Sequence, residues 1–80
     1  MIPSKVYSDR EWRKEARLII RGEMARREVG YKELARRLGG IGVEFEWKSL
    51  SNKISRGTFS AVFFLQCLHV LGVEQVHFNR

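Results

Sequence analysis

From Ser8 onward the apolar positions recur with the period of an α-helix, and glycines interrupt that period at regular points. Residues 1–8 lack it and read as an N-terminal arm; residues 9–80 read as a single domain. Ser8 and Glu11 have the spacing of a capping box, which predicts a first helix from there to about Glu28. At about 100° per residue, Trp12, Ala16, Ile19 and Ile20 share one arc, predicted to be core. Arg10, Arg13, Lys14, Arg17 and Arg21 share the neighbouring arc. That basic stripe either meets an anionic partner or is a solvated face paired with Glu11 and Glu15. Glu23 falls on the core arc. An unpaired buried carboxylate is costly, so an arginine partner is expected: Arg27 one turn on, or Arg37 or Arg56 from elsewhere in the fold.

Gly30 is expected to take the left-handed conformation that ends the first helix. Residues 31–38 then predict a short second helix, with Leu34, Ala35 and Leu38 inward and Lys32, Arg36 and Arg37 outward. Gly39, Gly40 and Gly42 follow. They lack the lysine and hydroxyl residue of a phosphate-binding loop and the strand before one, so they read as a turn whose Ile41 and Val43 plug the core. A third helix is predicted to start near residues 44–46 and to end before Gly57. Trp47, Leu50 and Ile54 form its inward stripe; the alternative for Trp47 is a stacking surface for single-stranded nucleic acid. Thr58 or Ser60 caps a fourth helix that runs to Leu71 and stops at Gly72.

The fourth helix carries no charge and is apolar on two sides: Phe59, Phe63, Cys67 and Val70 on one, Ala61, Phe64, Leu68 and Leu71 on the other. A chain of 80 residues has little to cover both sides, so the second is expected to meet another copy. The alternation of Val76 and Phe78 allows a short C-terminal strand. The expected homodimer interface is Phe64, Leu68, Leu71, Val76 and Phe78. The alternative is a monomer whose N-terminal arm covers that side.

Composition narrows the partners. With 15 Lys and Arg against 9 Asp and Glu, the net charge is +6 and the pI about 10.1, which points to nucleic acid before a membrane surface. Cys67, the single cysteine, lies in an apolar run and reads as a small core residue, with a reducing compartment to match. The N-terminal residues are too polar for a signal peptide, and no apolar run approaches the roughly 18 residues that span a bilayer. A cytoplasmic location is expected. No set of acids, histidines and cysteine converges at a telling spacing, so no metal, cofactor or catalytic role is assigned.

Helix, glycine-rich turn, polar basic helix, arginine–glycine stop and apolar helix is the order of a helix-turn-helix domain: all-α, of four to five helices. The runs KELARRLGGIGV, ISRGTFS and LHVLGV resemble the phage-repressor/Cro-like helix-turn-helix family, lambda-repressor-like in fold, over residues 31–73. The stretch SLSNKISRGTFSAVFFLQCLHVLG also resembles a small uncharacterised bacterial domain family of similar length. The turn is longer than that of the repressor family, and Leu50 and Ile54 are four apart where the family usually has three. The resemblance implies sequence-specific binding of double-stranded DNA by a transcriptional regulator with a recognition helix over residues 46–55. It implies base contacts from Lys48, Ser49, Asn52 and Lys53, and backbone contacts from Lys32, Arg36, Arg56 and Thr58, with Arg13 and Arg17 as further phosphate contacts or solvated residues. The rival reading is a helical protein–protein interaction module, adaptor- or antitoxin-like, that uses the apolar helix over residues 60–71.

Overall fold

A computed structural model of the chain describes residues 7–76. They form four helices and no strand: α1 (Asp9–Arg26), α2 (Tyr31–Gly39), α3 (Trp47–Arg56) and α4 (Ala61–Leu71). The all-α expectation holds. Residues 73–76, expected to start a strand, form none, and Phe78 lies outside the described residues.

Local chemistry sets most helix ends. Ser8 accepts from the Glu11 amide while the Glu11 carboxylate accepts from the Ser8 amide at 3.0 Å, the expected capping box. Ser60, not Thr58, caps α4, accepting from the Phe63 amide at 3.1 Å. α1 ends differently from the expectation. Gly30 is extended, as the N-cap of α2, and Glu28 is the residue with positive φ, at 55°. The Val29 amide then reaches back to the Met24 carbonyl at 2.9 Å, and both side chains enter the core. This is the geometry of a Schellman stop, and the buried Val29–Met24 contact offsets the strain of a glutamate in the left-handed region.

One core joins all four helices. Ile20, Leu34, Leu38, Leu50, Ile54 and Cys67 are fully buried, and Met24, Val29, Phe63 and Leu71 complete the cluster. α2 packs on α3 and α4, and α1 packs on the same two. Burial lifts the Cys67 thiol to a pKa of about 12, so it is a core atom and not a nucleophile.

Three apolar residues expected inside lie at the surface. Trp12 is 49% exposed, Ile41 44% and Trp47 38%. Trp12 and Trp47 sit on inward arcs but in the first turn of their helices, and Ile41 sits in the turn after α2; all three lie beyond the edge of a small core. Val43 alone carries the plugging role of the turn, its amide bonded to the Leu38 carbonyl at 2.9 Å. Glu15, expected on the wet face, is buried, and so is Glu23. Arg27 pairs with Glu23 as expected and Arg26 joins it, while Arg37 and Arg56 do not. The Arg26 hydrogen bond, with the charge of both guanidiniums, holds the Glu23 carboxyl below its usual range against the opposing effect of burial.

The closest approach at any of the glycines is at Gly57, the left-handed stop of α3 (φ 68°). A Cβ there would lie 2.5 Å from the Arg13 carbonyl oxygen of α1, backbone that cannot swing away. Gly57→Ala therefore adds a steric clash to left-handed strain. Its expected cost is on the order of 2 kcal/mol or more, a fall of about 10 °C in Tm for a domain of this size. Thermal unfolding followed by circular dichroism checks this; an unchanged Tm means that α1 and α3 do not approach so closely.

Candidate nucleic-acid interface

Leu50 and Ile54 lock one side of α3 into the core, which leaves the opposite side outward. Lys48, Ser49, Asn52 and Arg56 occupy that outward side, and all four are exposed. Three of the four residues expected to contact bases are thus together. The fourth departs: Lys53 is half-buried, its ammonium 5.2 Å from the Phe63 ring centre and 5.8 Å from that of Phe45. It sits on the margin of the inward stripe, where its stem follows the apolar surface and its charge meets two aromatic rings.

The neighbouring helices add charge unequally. Lys32, at the start of α2, is exposed, and its ammonium lies 5.4 Å from the Trp47 ring centre at the start of α3. Arg36 is exposed too, but Glu33 accepts from its Nε at 2.8 Å and from Nη2 at 2.6 Å. Arg37 donates to the same carboxylate at 2.8 Å and to the Val70 carbonyl at 3.2 Å, tying α2 to the end of α4. Arg36, then Arg37, hold the Glu33 carboxyl down at about 2, and the same bond raises Arg36 above its ordinary value. Thr58 is exposed just beyond the end of α3, beside Gly57.

On α1, Arg13 is exposed where its carbonyl meets Gly57, and Arg17 is half-buried. Arg21 is the member of the basic stripe that reaches α3, donating to Ser55 Oγ at 2.7 Å and to the Tyr31 hydroxyl at 3.3 Å. Its place one turn beyond Arg17 was the only sequence signal for that role. Trp47, assigned to the core by its spacing, instead adds an aromatic to the outer surface.

The residues expected to form a dimer interface are divided. Leu68 and Leu71 are buried in the chain's own core and cannot meet a partner. α4 is apolar on both sides, so its period could not say which side the core would take. Phe64 is half-buried and Val76 exposed; with Trp12, Ala16, Ile19 and Phe59 they line an open groove of about 350 Å³. The outward side of α4 is instead Val62 and Leu65, 65% and 63% exposed.

Among the described residues, no three His, Cys, Asp or Glu side chains are grouped to hold a metal ion, and no single helix is long and apolar enough to cross a membrane. A family model described as a domain of unknown function, DUF6471, matches residues 12–76, which hold α2, α3, α4 and all but the first turn of α1. The chain belongs to the DUF6471 family. That description assigns the DUF6471 domain no activity, and no curated protein or solved structure matches it.

Glu33 sets an acid limit on this surface. Its pKa is lower in the folded chain than the ordinary 4.5, so its pairing stabilises the fold above about pH 4.5 and that contribution is lost as pH falls toward 2. Glu33→Gln removes the titration. The variant is expected to melt slightly below the wild type near neutrality, the gap being small because solvent screens the pair, and to match it at about pH 2. Melting curves across that range check it; a gap that stays constant with pH would separate the stability effect from the carboxylate charge.

Proposed function

We propose that this DUF6471 domain is a small, cytoplasmic, sequence-specific regulator that binds double-stranded DNA, with α3 as the recognition helix of a lambda-repressor-like helix-turn-helix. The observation that carries this reading is the outward side of α3. Lys48, Ser49, Asn52 and Arg56 stand together on a helix that Leu50 and Ile54 hold rigidly from behind, in a chain of net charge +6. A rigid, basic, polar helix of this size fits the major groove. In this reading Asn52 bridges adenine N6 and N7 and Ser49 supplies a further hydroxyl, while Lys48 adds a flexible cation that follows the phosphates. Lys32, Arg56, Arg13 and Thr58 set the register on the phosphates and carry no sequence information. Arg36 contributes less, since Glu33 already occupies its guanidinium. Lys53 braces α3 against Phe45 and Phe63 instead of reading a base.

The dimer in this reading is built on Val62 and Leu65, continuous through Ala61 with the groove of Trp12, Phe64 and Val76. A dimer would present two copies of α3 to successive half-sites, about one helical turn apart. The same exposed pair supports a second reading, a protein–protein interaction module that docks a different chain on α4. Selection of bound sequences from a random duplex pool, at low and at physiological salt, separates the two. A recovered palindrome supports the regulator. Sequence-blind binding that collapses with salt means that charge acts alone, and no binding leaves the interaction module.

Lys48→Ala combined with Asn52→Ala is expected to weaken the selected site by roughly 30-fold or more, with an unchanged melting temperature because both residues are exposed. Unchanged affinity in a titration against that site removes α3 from the interface. Leu65→Glu is expected to leave the fold intact and turn a dimer into a monomer in sedimentation velocity. A dimer that persists through this change must use another surface.

A further inference from the structure

Trp47 opens α3 and stays outside the core cluster, more than a third of its surface in solvent. Two ammonium groups attend it: Lys32 from α2 at 5.4 Å from the ring centre and Lys48 from the next position at 5.7 Å. Among the described residues neither lysine has an ion-pair partner, although Glu33 lies on α2 and Glu44 and Glu46 just before α3. An exposed indole with two uncompensated cations beside it is an unusual way to end an inward stripe. The attraction of an ammonium to an exposed ring is weak, and a phosphate offers it a stronger partner. A ligand that satisfies the whole group must supply negative charge on its rim and flat or apolar surface between the charges. A nucleotide within a strand has that form.

We propose that Trp47, Lys32 and Lys48 form a contact platform for duplex DNA, in which the indole lies against the base edge and takes up the 5-methyl group of thymine while the two ammoniums move onto phosphates beside it. The assignment rests on the DNA-binding reading above and adds a residue and a base preference to it. Three features support it. The first turn of a recognition helix goes deepest toward the base edges, and Trp47 is the first residue of α3. The thymine methyl is the apolar feature of the major groove, and apolar side chains are what read it. Lys32 and Lys48 come from different helices, so phosphate contacts by both would fix the indole between them and limit its freedom.

The test compares the full chain on two duplexes of about 20 base pairs at low salt: alternating adenine–thymine, and the same duplex with uracil in place of thymine. Replacing the methyl with hydrogen removes one buried apolar carbon, so wild type should bind the uracil duplex about fourfold more weakly. Trp47→Ala should bind the thymine duplex more weakly and show no difference between the two, while Trp47→Phe should restore part of the difference. In Trp12→Phe, Trp47 is the remaining indole, and its fluorescence should be quenched on binding. Equal wild-type affinity for the two duplexes, or a methyl preference that survives Trp47→Ala, overturns the platform and leaves the DNA-binding reading standing. Tighter binding of a thymidine single strand of the same length, with quenching of Trp47, overturns it in favour of stacking on unpaired bases. No binding to any of the three removes the DNA-binding reading itself.

Discussion

The orientation of α3 depends on two side chains. Leu50 and Ile54 are fully buried in one cluster with Ile20, Leu34 and Leu38, so α3 cannot rotate about its axis without exposing apolar surface. Everything that α3 turns outward is set by that constraint. Gly57 completes it from the far end, because the close approach of the Arg13 carbonyl fixes how α3 stops against α1. A loss of either leucine or isoleucine side chain at these positions would cost on the order of 2–5 kcal/mol, a large share of the stability of a small domain. The polar face is therefore presented by the same contacts that fold the chain.

Two acids, one buried and one half-exposed, are paired locally. Glu23 sits at the core's edge and is neutralised by Arg26 and Arg27 on its own segment, and Glu33 is held by Arg36 and Arg37 on α2. In both cases the partners lie one helical turn along, the spacing at which side chains on a helix meet. Four of the arginines are thus tied to acids near them in sequence. Arg21 is tied as well, by its bonds to Ser55 on α3 and to Tyr31 at the start of α2.

Much of this was legible in the sequence where a local rule governs. The S-x-x-E pair at Ser8, the Gly57 and Gly72 stops, the inward pair of Leu50 and Ile54, and the arginine beside Glu23 follow from chemistry within a turn or two of chain. The misplaced residues share a different cause. Trp12 and Trp47 lie on inward arcs, but an arc gives a direction and not a distance from the core's edge, and for Ile41 in the turn apolar character gives neither. For Leu68 and Leu71 the sequence offers a core side and a partner side equally, because α4 is apolar on two sides, and only the packing of α1 and α2 on it chooses between them. Lys53 reads in the sequence as a lysine on a polar helix, but its neighbours across the fold are two phenylalanines that sequence spacing does not bring together.

The division of labour among the cations bears on how a nucleic-acid surface on α3 would work. Guanidiniums fixed by carboxylates lose the free bidentate fork that suits arginine to guanine or phosphate. What stands unpaired at the start of α3, among the described residues, is Lys32 and Lys48, compact charges on flexible stems. Such charges follow a phosphate backbone well and discriminate sequence poorly, and their contribution falls steeply with salt. Any discrimination must then come from groups with fixed geometry: the amide of Asn52, the hydroxyl of Ser49 and the indole of Trp47. Those groups stand on the helix that Leu50 and Ile54 immobilise, so the rigid part of the surface is the part able to read, and the mobile part is the part that need only attract.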